Sequence, residues 1–267
     1  FLAAEADAGR QVRTLARRCA AIRYAHRLQQ LPAPTDAEAV RATLRGIRRT
    51  VGTAPRQKAP ATTDVVLALV HHAEAAIARG RTLEGLRDRA LLLLGFAGAF
   101  RRAELAALTV ADLEEAPQGL RVHVRRAKTD PEGAGAVVAV LRGRRAQGRY
   151  CPVAAVRAWC AAAGISEGPV FRPLWKGGVR TPQRVRDTAL SAHAINRLVQ
   201  AYAQRAGYDA SVFGGHSLRA GFLTAAAERG ANVFRLLDIS RHRSVDTLRA
   251  YVRRTEQWTD HAGTGLL

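Results

Sequence analysis

His216 and Arg219 stand three residues apart in the stretch H-S-L-R-A-G-F. That spacing puts an imidazole and a guanidinium on one face of a helix. After a short connection comes His242, in S-R-H-R-S, and then Tyr251, in D-T-L-R-A-Y. A guanidinium binds phosphate through a planar fork and keeps its charge at any working pH. An imidazole donates to an oxyanion or moves a proton near neutrality. A phenol forms a covalent intermediate when a phosphate is held in line with its oxygen. Together the four describe a phosphate pocket with a tyrosine nucleophile. Taken singly, each passes as an ordinary helix residue, and Tyr251 as a core aromatic.

Two earlier blocks supply further parts. A-F-R-R-A-E-L places Arg101 directly after an apolar run, with Glu104 three residues on and on the same helical face. By itself that pair reads as a surface contact worth about 0.3–0.5 kcal/mol. R-A-K-T-D-P-E-G places Lys128 at what reads as a hairpin tip. Of the 42 basic residues only Lys58, Lys128 and Lys176 are lysines. Where arginine fills nearly every basic position, a retained lysine is a candidate proton donor, because arginine does not deprotonate.

The elements that must carry these groups are mostly helical. Residues 10–31 read as an amphipathic helix, with Val12, Leu15, Cys19 and Ile22 on one face and Arg13, Arg17, Arg18 and Arg27 on the other. Pro32 and Pro34 end it. Thr35-Asp36-Ala37-Glu38 has the form of a capping box opening a second helix to about Thr50. The stretch 52–61, G-T-A-P-R-Q-K-A-P-A, reads as a linker and places a domain boundary at about 61. Helices are then expected from Thr63 to Arg79 and from Thr82. The apolar run 90–99 reads as a buried helix, and Arg101–Leu108 as a further one. The segments 120–126 and 135–141 alternate or are rich in valine and predict a hairpin on a small sheet. Pro152 begins a helix to Ala163. The stretch 170–179 reads as a loop with a short strand. Helices follow at 187–207, 216–229, 232–240 and 245–254. The fold class expected is mainly α with a small antiparallel sheet, α+β.

Composition bounds the partners. The formal net charge is +20, with 42 basic against 22 acidic residues, which is the footprint of a polyanion-binding protein. No run of 18 apolar residues exists, so a membrane-spanning helix is not expected. Three well-separated cysteines, with no C-x-x-C, indicate neither a zinc knuckle nor a disulfide framework, and fit a reducing, cytoplasmic compartment. No signal-peptide pattern is present. The chain has no methionine, even at position 1, and is expected to continue before Phe1.

Arg101, Lys128, His216, Arg219, His242 and Tyr251, in this order and spacing, resemble the active-site set of the tyrosine recombinase (phage integrase) family. A-F-R-R-A-E-L resembles its first arginine box, R-A-K-T-D its β-hairpin lysine, and H-S-L-R-A-G its H-x-x-R box. The stretch H-R-L-Q-Q-L-P-A-P-T-D, with the helix after it ending I-R-R, is similar to the clamp domain of the family's Cre-like branch. The resemblance implies a helical core-binding domain over 1–61, lacking helices that precede it, and a catalytic domain over 62–267 with a C-terminal segment exchanged between protomers. Trp258 would anchor that segment.

It also implies roles. Tyr251 would attack the scissile phosphate and form a 3′-phosphotyrosyl link. Arg101 and Arg219 would bind the non-bridging oxygens, and Lys128 would protonate the 5′-oxygen. His216 would assist proton transfer, His242 would donate to the phosphate, and Glu104 would orient the pocket. The phosphotyrosyl bond conserves the energy of the diester, so neither ATP, metal nor other cofactor is expected. The partners implied are double-stranded DNA with an inverted-repeat recombination site and a homo-tetramer on two such sites. Arg13, Arg17, Arg18, Arg172, Lys176 and His193 are the expected DNA contacts. A type IB topoisomerase, a telomere resolvase and a DNA-binding protein without catalysis are the alternatives. One departure stands inside the site: many members carry glycine before the second histidine, where this chain has Arg241.

Overall fold

A computed structural model describes residues 1–53, 58–125, 135–143, 148–175, 183–242, 244, 245 and 248. The chain divides into two compact units, Phe1–Gln57 and Lys58–Leu267. Ala59 and Ala61 donate their backbone N–H groups to the carbonyls of Val212 and Ser217, at 2.7 and 2.8 Å. The division therefore falls before these residues, because the end of the proline-containing stretch is stitched into the second unit.

The first unit holds three helices, α1 (Leu2–Asp7), α2 (Val12–Leu28) and α3 (Glu38–Val51). Leu2, Leu15 and Cys19 form its core, with Ala6, Val40, Leu44 and Ile47 packed on them. The apolar face of α2 is thus buried as its periodicity requires, while Arg13 and Arg17 on the opposite side are exposed. The expected capping box does not form. Pro34–Asp36 is a 3-10 turn that buries Thr35, Ala37 takes the cap position, and Asp36 pairs with Arg23 at 2.6 Å.

The second unit is built around α5 (Thr82–Ala97), one continuous helix that joins the two segments expected separately. Its residues Ala90, Leu91, Leu92 and Leu94 are fully buried. Around it lie α4 (Thr63–Ala78), α6 (Arg102–Ala107), α7 (Pro152–Ala163), α8 (Ala192–Arg205), α9 (Gly215–Glu228) and α10 (Val233–Ser240). Pro152 opens α7, where its fixed φ and missing N–H suit the first turn. Trp159 of α7 is buried and donates Nε1–H to the Val170 carbonyl at 2.8 Å.

The sheet is antiparallel with order β1 (Leu113–Ala116), β2 (Gly119–Val124), β3 (Ala136–Leu141). Val122 pairs with Val138 and Val124 with Ala136, so the valines expected to form a hairpin do so. The edge strand β1 reads L-E-E-A and gave no alternating signal. A two-stranded ribbon, β4 (Leu174–Trp175) with β5 (Arg184–Val185), forms a separate sheet whose Leu174 and Val185 pack against the same core. Among the described residues no helix is long and apolar enough to cross a membrane.

One glycine of the H-S-L-R-A-G-F box has a packing reason. A Cβ on Gly221 would lie 1.7 Å from the Ala61 carbonyl oxygen. Only a bare Cα lets the backbone at 59–61 lie against α9, and Ala61 uses that approach to bond Ser217.

Candidate phosphate-binding site

Arg219 sits on α9 with no exposed surface. Its Nη1 donates to the Ala99 carbonyl at 2.8 Å, and its Nη2 donates to the Ser240 carbonyl. The guanidinium thereby ties the end of α5 to the end of α10. A buried charge is tolerated only where polar partners replace water, and two main-chain oxygens are among the replacements here. Ala99 is held at φ 46°, in the left-handed region, which aims its carbonyl into the site.

Arg101 caps the start of α6. Its backbone N–H donates to Glu104 Oε2 at 2.8 Å and its Nη1 donates to Glu104 Oε1 at 2.6 Å. Glu104 is only 5% exposed. The pair is therefore not the surface contact its spacing suggests. The same carboxylate accepts from Arg241 Nη2 at 2.6 Å. Burial by itself would raise the Glu104 carboxyl, but the Arg241 charge and the hydrogen bonds from Arg101 and Arg241 outweigh it and hold the pKa below the ordinary value.

Arg241 resolves the departure from the glycine pattern. It ends α10 in the left-handed conformation, φ 55°, ψ 40°, where an L side chain costs about 1–2 kcal/mol. Its Nη1 donates to the Ile239 carbonyl at 2.7 Å and its Nη2 to the Ala99 carbonyl at 3.2 Å. The guanidinium lies over the Phe100 ring, 5.2 Å from its centroid. Its own carbonyl accepts from Arg101 Nη2 at 3.3 Å. The sequence marked this position only as an oddity of turn chemistry. No spacing rule reports that a residue 137 positions from Glu104 shares its carboxylate.

The two histidines face this cationic group. His242 is half-buried, and its Nδ1 lies 2.9 Å from Ser240 Oγ. Burial, followed by the charges of Arg219, Arg101, His216 and Arg241, pushes its pKa down to about 3. His216 is exposed on the otherwise buried first turn of α9, which is pinned where Asn196 Oδ1 accepts the Gly215 N–H at 3.1 Å. Although the residue is exposed, crowding of its ring and then the charges of Arg219, Arg101 and Arg102 lower its pKa also. Both rings are consequently neutral at neutral pH, each with one N–H donor and one acceptor.

The sign for stability follows. An unfolded His242 takes a proton below pH ~6.5, whereas the folded one stays neutral to about 3. Stability is therefore lost as pH falls through that window. A His242→Asn chain is expected to lose less stability between pH 6.5 and 4 than the parent, as read by urea unfolding at each pH.

The structure thus gathers Arg101, Glu104, His216, Arg219 and His242, and adds Arg241. Lys128 and Tyr251 lie outside the described residues, as do Lys176 and Trp258. Among the DNA contacts expected, Arg13, Arg17 and His193 are exposed. Arg18 is held by Glu5. Arg172 is a structural tie: its Nε donates to the Pro169 carbonyl at 2.9 Å, its Nη1 pairs with Asp187 at 3.1 Å, and its Nη2 donates to the Glu167 carbonyl. With all three nitrogens engaged inside the protein, Arg172 is not presented as an open contact.

A fixed group of guanidiniums with neutral imidazole donors is suited to a tetrahedral oxyanion. Comparisons with known proteins point the same way. Residues 61–257 match the phage integrase family. The chain is 36% identical over 223 residues to an integrase/recombinase XerD homologue of Selenomonas ruminantium, covering 84% of this chain and 62% of that protein. It is 24% identical over 266 residues to the Cre recombinase of Escherichia phage P1, covering 94% and 73%. The likeness thus extends to Xer-type as well as Cre-type proteins, and the chain spans less than two thirds of the Selenomonas protein. Among solved structures, the Tn1549 transposon integrase in complex with transposon right-end DNA shares the fold, with a TM-score of 0.58 at 15% identity over 96% of this chain and 82% of that one. The matched span takes in the gathered arginines and histidines, and the chain belongs to the phage integrase family, the tyrosine recombinases.

Proposed function

We propose that this chain is the catalytic part of a site-specific DNA recombinase that cuts and rejoins strands through a phosphotyrosyl intermediate. The observation that carries the reading is the buried Arg219, fixed by two carbonyls beside Arg101, His216 and His242. Such a cradle favours charge that builds on a phosphate more than charge already dispersed in water. Tyr251 would attack the scissile phosphorus, and its 3′-phosphotyrosyl link would release a 5′-hydroxyl. Lys128 would give the leaving oxygen its proton. Neutral His216 would take the proton of the tyrosine, and neutral His242 would donate to a non-bridging oxygen. Glu104 would hold Arg101 in place. Rejoining is the same path in reverse, so the reaction needs no ATP.

The DNA partner is supported by the charge of +20 and by relatives solved with DNA bound. An inverted-repeat site, four protomers on two sites and exchange of the C-terminal segment make up the assembly we propose. The test is a plasmid carrying two copies of a site from the native locus, incubated with the chain extended at its N-terminus, without nucleotide or added metal. Deletion or inversion between the sites supports the reading. Relaxation of supercoils on plasmids lacking the site would favour the topoisomerase alternative.

Arg13 and Arg17 stand open on α2 and would meet phosphates. Replacing either with alanine is expected to reduce the slope of log Kobs against log salt by about 1, uniformly across sequences. Titrations from low to moderate salt read this directly.

A further inference from the structure

We infer that Arg241 is a positioning residue that locks both phosphate-binding arginines through Glu104 and Ala99. The inference rests on the catalytic reading above. Arg241 Nη2 donates to Glu104 Oε2 at 2.6 Å, and Glu104 Oε1 accepts from Arg101 Nη1 at 2.6 Å. One carboxylate thus fixes two guanidiniums, one per oxygen, and its position is set by both. The second link runs through main chain. The Ala99 carbonyl accepts from Arg241 Nη2 at 3.2 Å and from Arg219 Nη1 at 2.8 Å. A third link is the Arg241 carbonyl itself, which accepts from Arg101 Nη2 at 3.3 Å. Arg241 is therefore bonded to Arg101 directly, to Arg101 again through a carboxylate, and to the oxygen that anchors Arg219.

The side chain is not placed to touch substrate. It is 8% exposed, lies over Phe100, and gives Nη1 to Ile239. Its Nε is buried without a hydrogen-bond partner among the described residues. A conformation that glycine adopts freely is here kept by arginine at an energetic cost, as is one unsatisfied N–H. Both costs fit a residue whose value lies in what it holds. The same residue is the immediate neighbour of His242, so the turn that presents that imidazole is braced by the pair with Glu104.

The experiment uses Arg241→Gly, which accepts φ 55° without strain and removes only the side chain. Two readouts are taken: single-turnover cleavage of a nicked duplex, and affinity for inorganic phosphate by 31P NMR. Cleavage at saturating DNA is expected to fall about 10-fold with DNA affinity within twofold of the parent, and phosphate affinity to fall by a similar factor. Arg241→Lys, which keeps the charge but not the fork, is expected to lie between. Combining Arg241→Gly with Glu104→Gln is expected to cost less than the product of the two single effects, because the Glu104 route is shared and only the contact with the Ala99 carbonyl is lost in addition. Parent-like cleavage and phosphate affinity in Arg241→Gly overturn the inference, as do multiplicative effects in the double variant. A phosphate affinity that depends on Arg241 in a chain that never cleaves DNA supports the positioning role and defeats the strand-transfer reading. A parent that holds no phosphate overturns both.

Discussion

An Arg219→Leu chain is expected to lose DNA cleavage by about 10³-fold or more while still binding duplex, and to be less stable by about 3 kcal/mol. The stability loss has two sources. Arg219 has no exposed surface, and its two Nη groups satisfy the carbonyls of Ala99 and Ser240. Leucine takes a donor from each oxygen: Ser240 loses its Arg219 partner and Ala99 keeps only the longer contact from Arg241, at 3.2 Å. A buried carbonyl left unsatisfied costs about 1–3 kcal/mol, partly relieved if the end of α10 shifts toward water. The catalytic loss is larger because removal of a single preorganised donor typically costs about 10²–10³ in rate. Leucine removes a fixed charge as well. Arg219→Lys separates the two effects. A single ammonium does not span two carbonyls as the planar fork does, so cleavage should fall even where the fold is kept. Binding should survive because most affinity comes from phosphate contacts spread along the duplex. Urea unfolding and single-turnover kinetics on the same preparations check the two arms. An Arg219→Lys chain that cleaves like the parent would contradict the assignment.

Glu104→Gln is expected to destabilise the second unit by about 3–5 kcal/mol at neutral pH, the range for removing one partner of a buried ion pair. Two guanidiniums, Arg101 and Arg241, then face each other across a neutral amide that accepts through only one oxygen. The pH dependence gives the sign. The folded pKa of Glu104 lies below the usual carboxylate value. Its contribution is present above the unfolded pKa near 4.3 and disappears as pH falls through the folded value. The gap between parent and Glu104→Gln should therefore be widest above about pH 5 and close toward acid. The histidine contribution is lost over a higher window, beginning near pH 6.5, so the two are separable in one unfolding series. A gap independent of pH would mean that Glu104 acts by packing alone.

Much of the site was readable because its chemistry is local. His216 and Arg219 share a helix face through simple spacing, and the apolar run ahead of Arg101 announces the buried end of α5. Helices opened by Thr63, Pro152 and Asn232 carry their own start signals, and Asn232 does accept the Phe234 N–H at 2.8 Å. The hairpin β2–β3 follows from its valines. The misses occur where tertiary contacts decide. Thr35 has the type and spacing of a cap residue, but the turn at Pro34 buries it. The helix expected from Asp187 begins instead at Ala192, because Ser191 takes the cap and Asp187 pairs with Arg172. Helix α1 and strand β1 are six and four residues long, too short for a period to register. Glu104 looked like half of a surface pair, since spacing does not report burial. Arg241 looked like a misplaced residue in a turn, since its partners lie far away in sequence.

The measurement closest to the central claim is covalent capture. Nicked duplexes from the native locus, which lose the attacking hydroxyl after cleavage, are incubated with the chain without metal and resolved on a denaturing gel. A protein–DNA band is expected that resists denaturant, disappears on protease treatment, and is absent from Tyr251→Phe under conditions where that variant binds the duplex equally well. Peptide mapping should place the nucleotide on Tyr251. A band that persists in Tyr251→Phe, or maps to another residue, would contradict the account.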